Sequence, residues 1–297
     1  MNEASRDVGA LAAEREERRR AKDFAAADAL RARIEALGYR ILDGAEGPTL
    51  EPIRAARERA ADVPSMLGDP ATADATLAWV DEGWPQDIRR AVEATRASAA
   101  GRAAHLVVAD ATGGDAHYGD DVEVLRLEPG TGWAAARNAG LRRAKGRIVV
   151  ALDGSIEPVG DLVTPLLLAL EDPSVGICGP FGISTIDLRE FHESPGPVVD
   201  AIEGYCFALR RELLVELGGF DERFRWYRTA DIELSFRAKD AGYRCVVVEV
   251  PVRKHEHRMW DATTPEDRDR LSKRNYNRFL ERFRGRTDLL VGGTEGG

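Results

Sequence analysis

The 297-residue chain has little cysteine: Cys178, Cys206 and Cys245 stand far apart, and no CxxC pair is present. Three thiols cannot all pair with one another. Scattered cysteines without metal-ligand spacing read as buried, reduced thiols of a cytoplasmic protein. A long apolar run is also missing. The strongest, Leu162 to Leu170, is broken by Pro165 and falls far short of the roughly 20 residues that a membrane-spanning helix needs. The amino terminus, MNEASRDVGALAAEREERRR, mixes charges around no apolar centre, which is not the pattern of a signal peptide. Positive charge is in deficit. The 42 Lys and Arg against 51 Asp and Glu leave −9, which removes any general attraction to phosphate backbones, so no DNA partner is expected.

What is present is an ordinary globular balance, 43% hydrophobic and 31% charged residues, in a length that fits two domains, or one with an appendage. From Leu11 to Ala36 there is neither Pro nor Gly, and the abundance of Ala, Arg and Glu predicts one long helix. Phe24, Ala27, Leu30, Ile34 and Leu37 recur at helical spacing and give it one sticky face. Gly38 is a helix stop, Tyr39–Leu42 reads as a short extended piece, and Glu51 to Ala61 reads as a second helix. The composition of PSMLGDPATA places the main boundary there. The expected organisation is a helical module over 1–63, a linker over 64–72, a large domain over 73–285 and a flexible tail over 286–297. Over residues 1–60, twelve Lys and Arg face twelve Asp and Glu, so the whole excess of −9 belongs to the larger part.

From Ala73 onward, strands and helices alternate. Thr76–Val80, His105–Ala109, Val122–Leu127 and Arg147–Leu152 are apolar runs; Pro85–Ala97 and Trp133–Ala144 read as helices between them. That order predicts a parallel sheet covered on both faces. Ligands of such sheets sit beyond the carboxyl ends of the strands, where Asp110 and Asp153 stand. An aspartate at a strand end can also merely cap the next helix.

Two resemblances go further. Residues 14–52, with RRRAKDFAAADALRARIEALGYRILDGAEGPTLEP at their centre, resemble the small helical appendage at the carboxyl end of cysteinyl-tRNA synthetases. The balanced charge of this segment favours a module for protein contacts over an RNA binder. The stretch GTGWAAARNAGLRRAKGRIVVALDGSIEP is similar to the core signature of family-2 glycosyltransferases. Gly132, Ala136, Arg137, Asn138, Gly140, Ala144, Gly146, Leu152, Asp153 and Pro158 fall on it. GGFDERF (Gly218 to Phe224) and YRTADIELSFRAKDAGYR resemble two further segments of that family, in the family's order. The resemblance implies an α/β protein of the GT-A type: a Rossmann-like mixed sheet flanked by helices, with the small helical module added at the amino terminus.

It also implies an inverting transfer of a sugar from a nucleoside-diphosphate sugar donor to a hydroxyl acceptor, glycan or lipid-linked. A departing diphosphate needs its charge neutralised, usually by Mg²⁺ or Mn²⁺, and an acceptor hydroxyl needs a carboxylate base. By resemblance, Asp110 lies near the base or ribose of the nucleotide, Asp153 at the ribose and the metal, and Asp231 is the general base. Arg137 and Asn138 orient the donor loop, although Arg137 also reads as a solvated helix residue.

The chain departs from the family at two places. The usual D-x-D reads Asp153-Gly154-Ser155, so a hydroxyl replaces a carboxylate that hard cations prefer; Glu157 is a candidate to compensate. The E-D pair reads Ala230-Asp231, with Glu233 as the candidate substitute. The family's histidine ligand after the last core strand has two candidates in VPVRKHEHR, His255 and His257, and spacing favours His257 as the metal ligand beside Asp153. These losses leave a second reading open, a degenerate member that binds nucleotide or a partner without catalysis. A tRNA-associated role of the first 60 residues is a third.

Trp226 and Tyr227 read either as a stacking wall for the acceptor or as core aromatics. The final run RDRLSKRNYNRFLERFRGR is an amphipathic basic helix carrying Tyr276, Phe279 and Phe283. It reads either as a contact with anionic lipid at the inner face of the membrane or as a packed terminal helix.

Overall fold

The computed structural model describes residues 3–44, 47–52, 56–98 and 101–292. The chain divides into two compact units, Met1–Ala56 and Arg57–Gly297.

The first unit is a helical hairpin followed by a β-hairpin. The expected single helix is two, α1 (Glu3–Arg20) and α2 (Phe24–Ala36). The break falls at Lys22, which takes a positive φ of 59°, and Asp23 caps α2 by accepting from the Ala26 amide at 3.2 Å. Tyr39–Gly44 (β1) pairs antiparallel with Gly47–Pro52 (β2). The helix expected over 51–61 does not form: β2 runs through Pro52, residues 53–55 lie outside the described residues, and Ala60–Asp62 is a single 3-10 turn. Val8, Ala12, Ile34 and Ile41 make the core of the hairpins. Arg15 reaches Asp43 with two bonds of 2.8 and 3.1 Å and holds its carboxyl well below the usual carboxylate range. Of the expected sticky face, Ala27 and Ile34 are buried while Phe24 and Leu37 stay exposed.

The second unit is built on an eight-stranded mixed sheet. In chain order its main elements are β3 (Ala73–Asp81), α3 (Pro85–Ser98), β4 (Ala104–Asp110), β5 (Val122–Arg126), α4 (Trp133–Arg142) and β6 (Gly146–Leu152). They are followed by β7 (Ile156–Pro158), α5 (Val163–Ala169), β8 (Val175–Gly179), β9 (Gly182–Ser184), β10 (His192–Glu193), β11 (Val198–Val199), β12 (Ala201–Ile202) and β13 (Cys206–Arg210). Then come α6 (Arg211–Leu217), α7 (Ala230–Asp240), β14 (Arg244–Val247), β15 (Val252–Lys254), α8 (Arg258–Ala262) and α9 (Pro265–Phe283). The order across the sheet is β11-β14-β8-β13-β6-β3-β4-β5. β6, β3, β4 and β5 run parallel. β13 lies antiparallel between β6 and β8, so the sheet is mixed as the resemblance implies and not purely parallel as the alternation alone predicts.

Each central strand is apolar on both faces because both faces are covered. Leu106 and Val108 enter one layer with residues of α3 and α5, and Val107 and Ala109 the other with residues of α4. Close strand contact requires Gly146, where a Cβ would sit 2.3 Å from the Ala75 carbonyl carbon and the Thr76 nitrogen.

Two expectations are corrected here, and of the two readings of α9 the packed terminal helix is the one seen. The domain boundary precedes the 64–72 stretch. Ala60 and Val63 are buried in the second unit's core, and the Met66 amide donates to the Arg142 carbonyl at 2.8 Å. Part of the expected tail is tied down as well: the Val291 amide donates to Asp200 at 2.7 Å and Arg286 pairs with Asp240 at 2.9 Å. Residues 293–297 lie outside the described residues. The aromatic face of α9 is interior, with Phe279 and Phe283 clustered around Phe236, so it is not free to meet lipid. Among the described residues no helix is long and apolar enough to cross a membrane.

Candidate active site

Aspartates close or follow three of the parallel strands: Asp81 ends β3, Asp110 ends β4 and Asp153 follows β6. Their neighbours differ. Asp110 is fully buried, with one oxygen taking the Thr112 amide (2.9 Å) and hydroxyl (2.6 Å) and the other taking Arg126 (2.6 Å). Its charge is matched inside the protein. Asp81 accepts from the amides of Gly83 and Trp84 at 2.9 and 3.0 Å and from the Tyr118 hydroxyl.

Asp153 has one oxygen in use and one presented. Oδ1 accepts from the Ser155 amide at 2.8 Å and the Ser155 hydroxyl at 2.5 Å, while Oδ2 lies 3.5 Å from His257 Nε2. Burial opposes its charge, but His257 and the two Ser155 donors outweigh that and hold the carboxyl below its ordinary value. His257 caps α8, and its Nδ1 accepts from the Trp260 amide at 3.1 Å. The neutral ring therefore carries its proton on Nε2, pointed at Asp153. Tyr227 packs against the same ring with centroids 4.4 Å apart.

Asp231 starts α7. Its Oδ2 accepts from the Gly204 amide at 2.7 Å and its Oδ1 from the Ile232 amide at 2.9 Å. Burial pushes its carboxyl up from the usual value, against the effect of these bonds and of Arg228.

A cavity of about 480 Å³ joins these groups. Asp153, His257, Tyr227 and Asp231 line it together, with Trp133, Glu203 and Tyr205. Thus Asp153, His257 and Asp231 are brought to one space from three separate segments. Asp110, Arg137, Asn138 and Ser155 do not line it.

Each of those four has another place. Arg137 is buried beneath the sheet's end, donating at 2.9 Å to both the Ala78 and Leu152 carbonyls. It thereby ties β3 to β6 and is not a solvated helix residue; burial works against its charge, and Asp153 and Glu82 offset part of this. Asn138 clamps the Gly218–Phe224 loop, donating to the Phe220 carbonyl at 2.9 Å and accepting its amide at 2.8 Å. Ser155 orients Asp153. Neither candidate substitute supplies the missing carboxylates: Glu157 pairs with His255 at 2.6 Å and Arg253 at 3.2 Å, and Glu233 pairs with Arg237 at 2.9 Å. Strand β15 ends at Lys254, so His255 and His257 do not share a face. Trp226 is a buried core aromatic, and Tyr227 alone of that pair lines the cavity.

Sequence reasoning missed Asp81, although it ends its strand as Asp110 does. It also missed two carboxyls. Glu82 is pushed up to about 8 by burial and by Asp153, and Glu203 up to about 7 by burial and by Asp231. No spacing motif marks either, since their surroundings come from distant segments.

Comparison with known proteins agrees with this architecture. The model of "Glycosyl transferase family 2" matches residues 107–235. The matched part of the chain is thus similar to family-2 glycosyltransferases. It contains Asp110, Asp153 and Asp231. The pre-mycofactocin glycosyltransferase of Mycobacterium tuberculosis (strain CDC 1551 / Oshkosh) is 28% identical over an alignment of 156 positions that covers 46% of this chain and 33% of that protein. The same protein of strain ATCC 25618 / H37Rv gives identical figures. The chain thus spans about a third of the length of the curated relatives it matches. A crystal structure of GalNAc-T7 with UDP, GalNAc and Mn²⁺ superimposes with a TM-score of 0.56 at 19% identity, covering 70% of this chain and 48% of that one. The mixed sheet flanked by helices is therefore the GT-A fold. Residues 14–52 lie outside the family-2 match.

Proposed function

We propose that the family-2-like domain transfers a sugar from a nucleoside-diphosphate donor to a hydroxyl acceptor by a single inverting displacement. The observation that carries this reading is the common cavity. Asp153 enters it from the end of the parallel strands, and Asp231 from α7 beyond the antiparallel part of the sheet. The acceptor oxygen attacks the anomeric carbon while the bond from that carbon to the diphosphate oxygen breaks. The diphosphate leaves with the bonding electrons, and Asp231 takes the acceptor's proton. The Gly204 and Ile232 amides fix the Asp231 carboxylate for that transfer. Arg228 and His257 face the space in which the leaving charge develops.

Asp153 Oδ2 and His257 Nε2 are the two groups that would hold Mg²⁺ or Mn²⁺; when bound, the ion would neutralise the diphosphate. Among the described residues no group of three or more His, Cys, Asp or Glu is placed to hold a metal ion. Two donors suit an ion that takes its remaining ligands from the donor's phosphates, as Mg²⁺ commonly does. Coordination through Nε2 also requires the proton to move to Nδ1, at the cost of the Trp260 amide bond. Metal should therefore bind with the nucleotide and poorly before it.

The test is a thermal-shift titration with UDP and GDP, each with and without Mn²⁺, followed by a donor-hydrolysis assay. Stabilisation by nucleotide plus Mn²⁺, and loss of hydrolysis in Asp231→Asn, support the reading. No stabilisation by any nucleotide overturns it. Stabilisation with no turnover in the wild type favours the degenerate binder, the reading that Ser155 and Ala230 support.

A further inference from the structure

The acceptor end of the cavity is bordered by the segment carrying Arg189 and Phe191 and by α9, which contributes Asp269, Ser272, Lys273 and Tyr276. The two are joined there: the Tyr276 hydroxyl donates to the Leu188 carbonyl at 3.0 Å. Lys273 stands three positions before Tyr276, on the same helical face. Arg189 follows Leu188 directly, so both cations lie at this one end.

Arg189 and Lys273 form neither an ion pair nor a side-chain hydrogen bond among the described residues. Several other cations of α7 and α9 are engaged: Arg237 with Glu233, Arg270 with Asp267, Arg268 with the Trp260 carbonyl. Asp269 lies one turn from Lys273 yet forms no ion pair with it within 4 Å. Two solvent-reachable cations facing a cavity beside Phe191 and Tyr276 offer charge that the described residues leave unpaired. The diphosphate, on the reading above, sits at the other end, beside Asp153 and His257.

Resting on that reading, we infer that the acceptor carries an anionic group, a carboxylate or a phosphate monoester, which Arg189 and Lys273 hold while its hydroxyl faces Asp231. The guanidinium fork matches either oxyanion with two parallel bonds, and the ammonium adds a point charge. A neutral glycan would leave both cations unmatched. Glu203 and Asp231, which line the same cavity, suit the hydroxyl end of the molecule, because a carboxylate accepts from hydroxyl donors.

Calorimetric titration with glycerol 3-phosphate, D-glycerate and glycerol tests this on the full chain, first alone and then with saturating UDP and Mn²⁺. Glycerol 3-phosphate or D-glycerate should bind with the nucleotide present, and glycerol far more weakly. Arg189→Gln and Lys273→Gln should each weaken the anionic probe about tenfold or more and leave UDP affinity unchanged. Equal binding in the variants, no binding of either anion, or displacement of the anion by UDP overturns the inference. The last outcome would mean that the probe occupies the diphosphate position. Failure of UDP to bind at all would sink the proposed function instead, while variant-sensitive anion binding would still support this site.

Discussion

Truncating Phe279 decides what the last helix is for. Phe279 is fully buried, with ring centroids 5.1 Å from Phe236, 5.3 Å from Phe283 and 6.1 Å from Phe191. Phe279→Ala removes a ring that all three neighbours touch, and none of them can slide in without giving up its own contacts. Removing a core phenylalanine in this way costs about 3–5 kcal/mol. For a unit of the size of Arg57–Gly297, each kcal/mol lowers Tm by about 2–4 °C, so the loss should fall between about 6 and 20 °C. Scanning calorimetry of the wild type, Phe279→Ala and the exposed control Asn277→Ala measures it; the control should stay within about 0.5 kcal/mol. Co-sedimentation with vesicles containing anionic phosphatidylglycerol supplies the second readout. A loss below about 1 kcal/mol in Phe279→Ala, joined to a loss of vesicle binding, would refute the packing argument and make this face a lipid contact.

Asp231→Asn keeps the shape of the side chain and one amide contact but cannot take a proton; donor turnover should fall about 10²- to 10⁴-fold, with nucleotide affinity retained. In His257→Asn the new side chain can still cap α8, since Asn is a favoured cap. Thermal stability without ligand should therefore hold, while the added stabilisation of UDP by Mn²⁺ should disappear; an unchanged Mn²⁺ effect would remove His257 from the metal. Glu203, held at about 7 by burial and Asp231, binds its proton more tightly folded than unfolded. Its contribution to stability is present at low pH and is lost as pH rises from about 4.5 through 7. Glu203→Gln should flatten the fall of Tm between pH 5 and 8, and parallel wild-type and variant curves would refute this.

The reach of sequence reasoning varies by element. The strands β3, β4, β5 and β6 and the helices α3 and α4 were legible because continuous apolar runs and helical spacing are local properties, set by which faces must be covered. Asp153, Asp231 and His257 were legible as candidates through motif order. Other residues were misjudged where a local pattern has two readings. GPTLEP pairs with YRILDG as a hairpin although the residues around it favour a helix. Asn138 lies inside a donor-site motif yet spends its amide on Phe220.

The chain's order of residues alone settled the two-part organisation, the alternation of strands and helices, the absence of an apolar span and the aspartates near the strand ends. Each follows from spacing along the backbone. Tertiary structure decided the rest. It left the Asp110 charge matched by Arg126 and Asp153 with a free oxygen near His257, turned the α9 aromatics inward, and set Arg189 and Lys273, unpaired among the described residues, around one cavity. Burial and charge pairing depend on residues scores of positions apart, and periodicity carries no record of such distances.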